Sequence, residues 1–210
     1  MFYNLIIYIS SYFLILFSII GYGLILLKIL DKKLNNNNFG YVGLFGIYLL
    51  ILYSYLSNYF IAHSQYHNLI VIIFGLLLFI LFIKNKIFKL KKELILSIIV
   101  FSTIFISLLI FKNHDDFPYY HFPYTHYLTN QSLFFGVGQF NHGFRTPSSI
   151  FYLNSLFYLP LAEYNLFNFG QTFILGFANI ILLKKIHNYF VSFETKSVKI
   201  NFINYLSLFS

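Results

Sequence analysis

No charged side chain stands between Met1 and Leu27. A bilayer is crossed by a helix of about 20 apolar residues, and this stretch is long enough. It lacks the basic start and the small-residue cleavage site of a signal peptide, so a retained first membrane helix is expected over 4–27. Four further apolar runs follow, at 41–62, 69–83, 94–111 and 166–183. The run at 69–83 is short and spans only with snorkelling flanks.

Composition supports the same class. Apolar residues make up 59 % of the 210, charged residues 10 %, and the mean hydropathy is +0.73. A soluble domain carries about 25 % charged residues, so a water-facing surface of ordinary composition is excluded. Disorder needs low hydrophobicity and is excluded too. The expected fold is an all-α, polytopic helical membrane protein with five spans. A sixth, incomplete helix would begin in the apolar stretch at 200–209, where the chain is expected to stop. Three regions follow: an N-terminal three-helix region at 1–93, a helix–loop–helix region at 94–185, and a tail or sixth-helix start at 186–210. With no cysteine there is no disulfide framework, thiolate metal site or Cys nucleophile. The 29 Phe and 19 Tyr accompany runs of Ile, Asn and Lys and only three Ala. An AT-rich genome produces that bias, so aromatic abundance is not read as a stacking platform.

The basic residues supply a topology. Lys28, Lys32 and Lys33 lie between the first and second runs, and Lys84, Lys86, Lys89, Lys91 and Lys92 between the third and fourth. Lys184, Lys185, Lys196 and Lys199 follow the fifth, which leaves only Lys112 and Arg145 for the other loops. Positive charge in alternate short loops marks the cytoplasmic side. The N terminus, the turn at 63–68 and the long segment at 112–164 are then outside. The net charge of +8 reads as topology and contact with anionic lipid heads, not as nucleic-acid binding.

That outer side gathers six of the seven histidines, His63, His67, His114, His121, His126 and His142, with three of the six acidic residues, Asp115, Asp116 and Glu163. Adjacent, partly buried carboxylates at Asp115 and Asp116 would resist joint ionisation, raising one pKa towards acid–base use. At a membrane surface the pair could instead hold a divalent cation bridging a phosphate, the one cofactor this composition suggests. Asp116 before Phe117-Pro118 also suits a helix cap. Imidazoles beside the pair could complete a mixed N/O metal site, and the plainer reading is hydrogen bonding at the interface. His63 and His67 are four apart but lack the Glu of a His-Glu-x-x-His zinc helix.

Gly136-Val137-Gly138 with Gly143 lacks the spacing and strand–helix context of a dinucleotide loop and reads as turns. Arg145, the single arginine, suits bidentate capture of a phosphate or carboxylate, or else an ion pair to Asp115, Asp116 or Glu163. From Ser148 to Pro160 an apolar segment too short to span is expected to lie as a helix in the interface plane. Asn58, Gln171 and Asn179 are expected to make interhelical hydrogen bonds.

His114-Asp115-Asp116-Phe117-Pro118-Tyr119-Tyr120-His121, and more loosely 136–149 with Asn141 and Arg145, resemble the GT-C class of integral-membrane glycosyltransferases, over roughly 94–183. They also resemble uncharacterised polytopic bacterial membrane proteins related to that class. The resemblance implies a bacterial inner-membrane protein, or the N-terminal part of an enzyme, that transfers sugar from a polyprenyl-phosphate carrier outside the membrane. Asp115 or Asp116 would be the base or metal ligand, and Arg145, His121 and His114 would bind substrate. The competing expectation is a non-catalytic partner of an envelope assembly. A transporter ranks lower, because no ionisable residue lies at mid-membrane in the five runs.

Overall fold

The structure is a computed structural model that describes residues 2–30, 38–84, 87–110, 115–145 and 147–195. Of the described residues 81 % are helical, and they contain no strand. Four long helices come first: α1 (Phe2–Ile29), α2 (Phe39–Asn58), α3 (Gln65–Lys84) and α4 (Ile87–Leu108). A smaller region follows, made of a π-helical turn (Phe117–His121), α5 (Phe122–Asn130), two 3₁₀ turns and α6 (Ser149–Ser155). The long α7 (Phe169–Thr195) closes the described chain. The apolar stretch at 200–209, expected to begin a sixth helix, lies outside the described residues.

Among the described residues, four helices are long and apolar enough to cross a membrane: Asn4–Ile29, Phe39–Asn58, Gln65–Lys84 and Tyr164–Val191. The third needs no allowance for shortness, since it starts at Gln65 and runs 20 residues. The expected fourth run differs from the others. α4 begins earlier than the apolar run does, and its opening turns carry Lys91, Lys92 and Glu93.

α4 nevertheless runs the length of the bundle. Near its start, Glu93 accepts the Phe39 backbone N–H at 3.3 Å and pairs with Lys184 of α7. Two turns on, the Phe101 ring meets Phe177 edge-on at 4.8 Å, and its carbonyl accepts the Tyr12 hydroxyl at 3.1 Å. One turn further, Phe105 packs on Tyr8 and Tyr12, at 5.6 and 5.0 Å between ring centres. The partners on α7 and α1 therefore recede steadily towards those helices' other ends. α4 is antiparallel to both.

α1 sits at the centre, with Tyr12, Ile15, Leu16, Ile19 and Ile20 fully buried against α2 and α3. The backbones approach closely where glycines face each other. A Cβ on Gly46 would overlap the Ile19 carbonyl, and one on Gly21 would overlap that of Gly75. Small residues at crossings are how helices pack when lipid supplies no hydrophobic drive between them.

The region 115–163 forms a cap over the end of the bundle where α2 finishes and α3 begins. Proline at the first turn starts both the π-helical turn and α5, where its missing N–H costs nothing. Ser148 caps α6 by accepting the Ile150 N–H at 3.4 Å. The segment expected to lie along the interface does not expose a face to lipid. Every side chain from Phe151 to Phe157 is buried, covered by α2, α5 and α7, so α6 is a core element of the cap. Asn154 shows why: its Oδ1 accepts the Gly170 N–H at 2.9 Å, satisfying a free donor at the start of α7.

The candidate functional face in the cap

Asp116 precedes the π-helical turn, whose Tyr119 and Tyr120 N–H groups point back to its carbonyl at 3.2 and 3.3 Å. One helical turn on, the Tyr120 hydroxyl donates to Asp116 Oδ2 at 3.2 Å. Asp115 is exposed and Asp116 half-buried, so the two carboxylates do not share one buried site. The Tyr120 ring covers Gly143, where a Cβ would overlap it. Asn141 adds a hydrogen bond to the Tyr119 carbonyl at 3.4 Å. The Asp116–Tyr120 pair and the 141–145 turn thus form one patch.

Arg145 ends that turn. Its Nε donates to the Gly138 carbonyl at 3.4 Å, and its side chain is exposed. Among the described residues it makes no ion pair, so the expected alternative of a bridge to Asp115, Asp116 or Glu163 is not what holds it. The guanidinium's remaining N–H groups are open to an anion. His121 is half-buried, its ring at 4.5 Å from Tyr120 and 5.1 Å from Phe151. His114 lies outside the described residues. Among the described residues no group of three His, Asp or Glu is gathered tightly enough to hold a metal ion.

The most connected polar cluster lies elsewhere, where the cap meets the bundle. His63 is fully buried. Its Nδ1 stands 2.7 Å from Ser155 Oγ and its Nε2 2.9 Å from Ser57 Oγ. Because Ser155 donates its own proton to the Tyr152 carbonyl at 2.8 Å, Nδ1 carries the hydrogen and Nε2 accepts from Ser57. The His67 ring stacks on His63 at 5.3 Å and is held between the Tyr53 hydroxyl at 2.8 Å and Asn68 Oδ1 at 3.0 Å. Asn68 then donates to three carbonyls, of His63, Ser155 and Tyr158, at 2.8, 2.7 and 3.0 Å. Asn58 at the end of α2 bonds between helices as expected, donating to the Leu128 carbonyl of α5 in the cap at 3.0 Å. Burial, then the neighbouring His67, pulls the His63 pKa down to about 3. The ring is a neutral staple between α2, α3 and α6.

The spacing of His63 and His67 marked both residues but suggested a metal, and nothing local marked Ser57, Asn68 or Ser155, which complete the staple. The Asp116–Tyr120 contact had a local signal in its i, i+4 spacing. Comparison of the chain with protein-family models, with curated proteins and with solved structures gives no match.

Proposed function

We propose that α1, α2, α3, α4 and α7 all cross a bilayer, with the N terminus and the cap on the outer side of a bacterial inner membrane. The described lysines support this reading: Lys28, Lys84, Lys91, Lys92, Lys184 and Lys185 sit at the end of the bundle away from the cap. The cap then serves transfer of a sugar from a polyprenyl-phosphate carrier. The single observation that carries this is the exposed Arg145 guanidinium, held by one backbone bond and free of any ion pair among the described residues. In that role Arg145 takes the carrier phosphate as it leaves the sugar. The carboxylate of Asp116, oriented by Tyr120, takes the proton of the acceptor hydroxyl as its oxygen bonds to the sugar carbon.

The test is transfer from a polyprenyl-phosphate sugar by purified protein in vesicles. The Asp115→Asn/Asp116→Asn double variant inserts normally and loses turnover by about 100-fold or more, the usual worth of a general base. Wild-type turnover in that variant sinks the proposal. A second reading, a non-catalytic partner in an envelope assembly, is favoured by the local Tyr120–Asp116 bond, which gives that carboxylate a purely structural use. It predicts no turnover in the wild type and a lowered melting temperature in the double variant, whose amide accepts the Tyr120 hydroxyl less strongly than a carboxylate does.

A further inference from the structure

A cleft of about 230 Å³ opens beside the Arg145 turn. Its walls are Tyr59 after the end of α2, Tyr124 and Tyr152 from α5 and α6, and Phe134, Phe135 and Phe144 from the turns between them. The two inner phenols share one hydrogen bond, Tyr124 and Tyr152 hydroxyls lying 3.1 Å apart. The walls therefore offer a guest mostly carbon. Pockets that enclose a whole small ligand run from about 300 Å³ upwards, so this one suits only part of a longer molecule.

Its mouth is as apolar as its walls. Phe135 is 92 % exposed and meets Tyr59 edge-on at 6.4 Å. Phe60, in the same turn as Tyr59, is 78 % exposed. These rings stand where α2 ends, the level at which a spanning helix leaves the hydrocarbon. Aromatic residues collect at that level because one side meets lipid and the other the wet headgroups. Arg145 follows the wall residue Phe144, and Gly138, which holds its Nε, follows the wall residue Val137. A cation at the rim of an apolar cleft matches a chain that carries a phosphate.

We propose that this cleft is a lipid site, taking the end of one acyl chain of a phospholipid from the surrounding outer leaflet, with the lipid phosphate on Arg145. The inference rests on the bilayer placement of α2 proposed above and on Arg145 as a phosphate ligand. It does not rest on sugar transfer.

The chain contains no cysteine, so single labels are clean. Val137→Cys in the cleft wall and Asp115→Cys on the exposed turn each receive a bimane, in vesicles of phosphatidylethanolamine and phosphatidylglycerol. A phospholipid with a nitroxide on its acyl chain quenches the label at 137 and spares the one at 115, and aqueous iodide does the reverse. Adding Leu133→Trp, which fills the cleft, removes the lipid quenching at 137. Adding Arg145→Gln weakens nitroxide-labelled phosphatidic acid about tenfold relative to labelled diacylglycerol, the loss of one charge-assisted hydrogen bond. Iodide quenching at 137 equal to that at 115, or equal binding of the two labelled lipids by the unfilled cleft with Arg145 present, overturns the proposal. Lipid quenching without sugar turnover leaves the lipid site standing and removes the transferase; turnover without lipid quenching does the opposite.

Discussion

His63 has no exposed surface, yet its imidazole would take up a proton near pH 6.5 in water. In the folded protein that uptake waits until about pH 3, because burial and the stacked His67 both oppose a charge there. The unfolded chain therefore binds the proton first as pH falls. This residue's contribution to stability is complete above pH 6.5 and declines below it, by about 1.4 kcal/mol per pH unit between the two values. Thermal unfolding in detergent, followed from pH 7.5 to 5, will show the wild type losing stability faster than His63→Gln. Parallel curves for the two would separate His63 from the effect. The titratable groups nearest it are His67 on α3 and, through His67, the Tyr53 phenol on α2.

Among the elements, α1 depends on contacts that leave no room for side-chain atoms. Gly46 of α2 meets the Ile19 carbonyl and Gly75 of α3 meets Ser18. Gly46→Leu will push α2 off α1 and lower stability by about 1–3 kcal/mol, the usual cost of overfilling a packed interior. The change in melting temperature in detergent measures it, and an unchanged value would mean that the crossing is looser than its geometry indicates. α6 shows how burial overrides composition. Its mix of apolar and polar residues suits an interface, but Asn154 near its end bonds Gly170 and ties the helix to the start of α7. The exposed apolar surface of the cap lies instead at the rings about Phe135.

For the whole molecule, the cap and the lysines define two ends of one bundle, and the bilayer reading makes those ends face different compartments. Asp115→Cys and Lys185→Cys, in cells expressing the protein, will react with an impermeant maleimide from outside only at position 115. Labelling of both from the same side would reverse or break the five-span reading. α4 is the helix on which that parity turns. Its charged first turns keep it from counting as a span by composition, while its antiparallel path along α7 gives it the length of one.

Helix type and the positions of the long apolar runs were legible from sequence because each is a local property of about 20 consecutive residues, repeated without ambiguity. The i, i+4 spacing of Asp116 and Tyr120 was legible too, because one helical turn brings such a pair together. The start of α4 was not, because its first turns are polar by composition and are held by Glu93 bonding to α2 and α7, residues far away in the chain. The staple needed Ser57, Asn68 and Ser155 to be brought around His63. The cleft needed Tyr59 to be set against Phe135. The pairings with Ser155 and Phe135 lie many tens of residues apart and carry no local periodicity. Apolar patterning determined that this chain forms long helices. Only the packing of the cap on those helices decided which polar groups are buried as structure and which, like Arg145, are left open to a ligand.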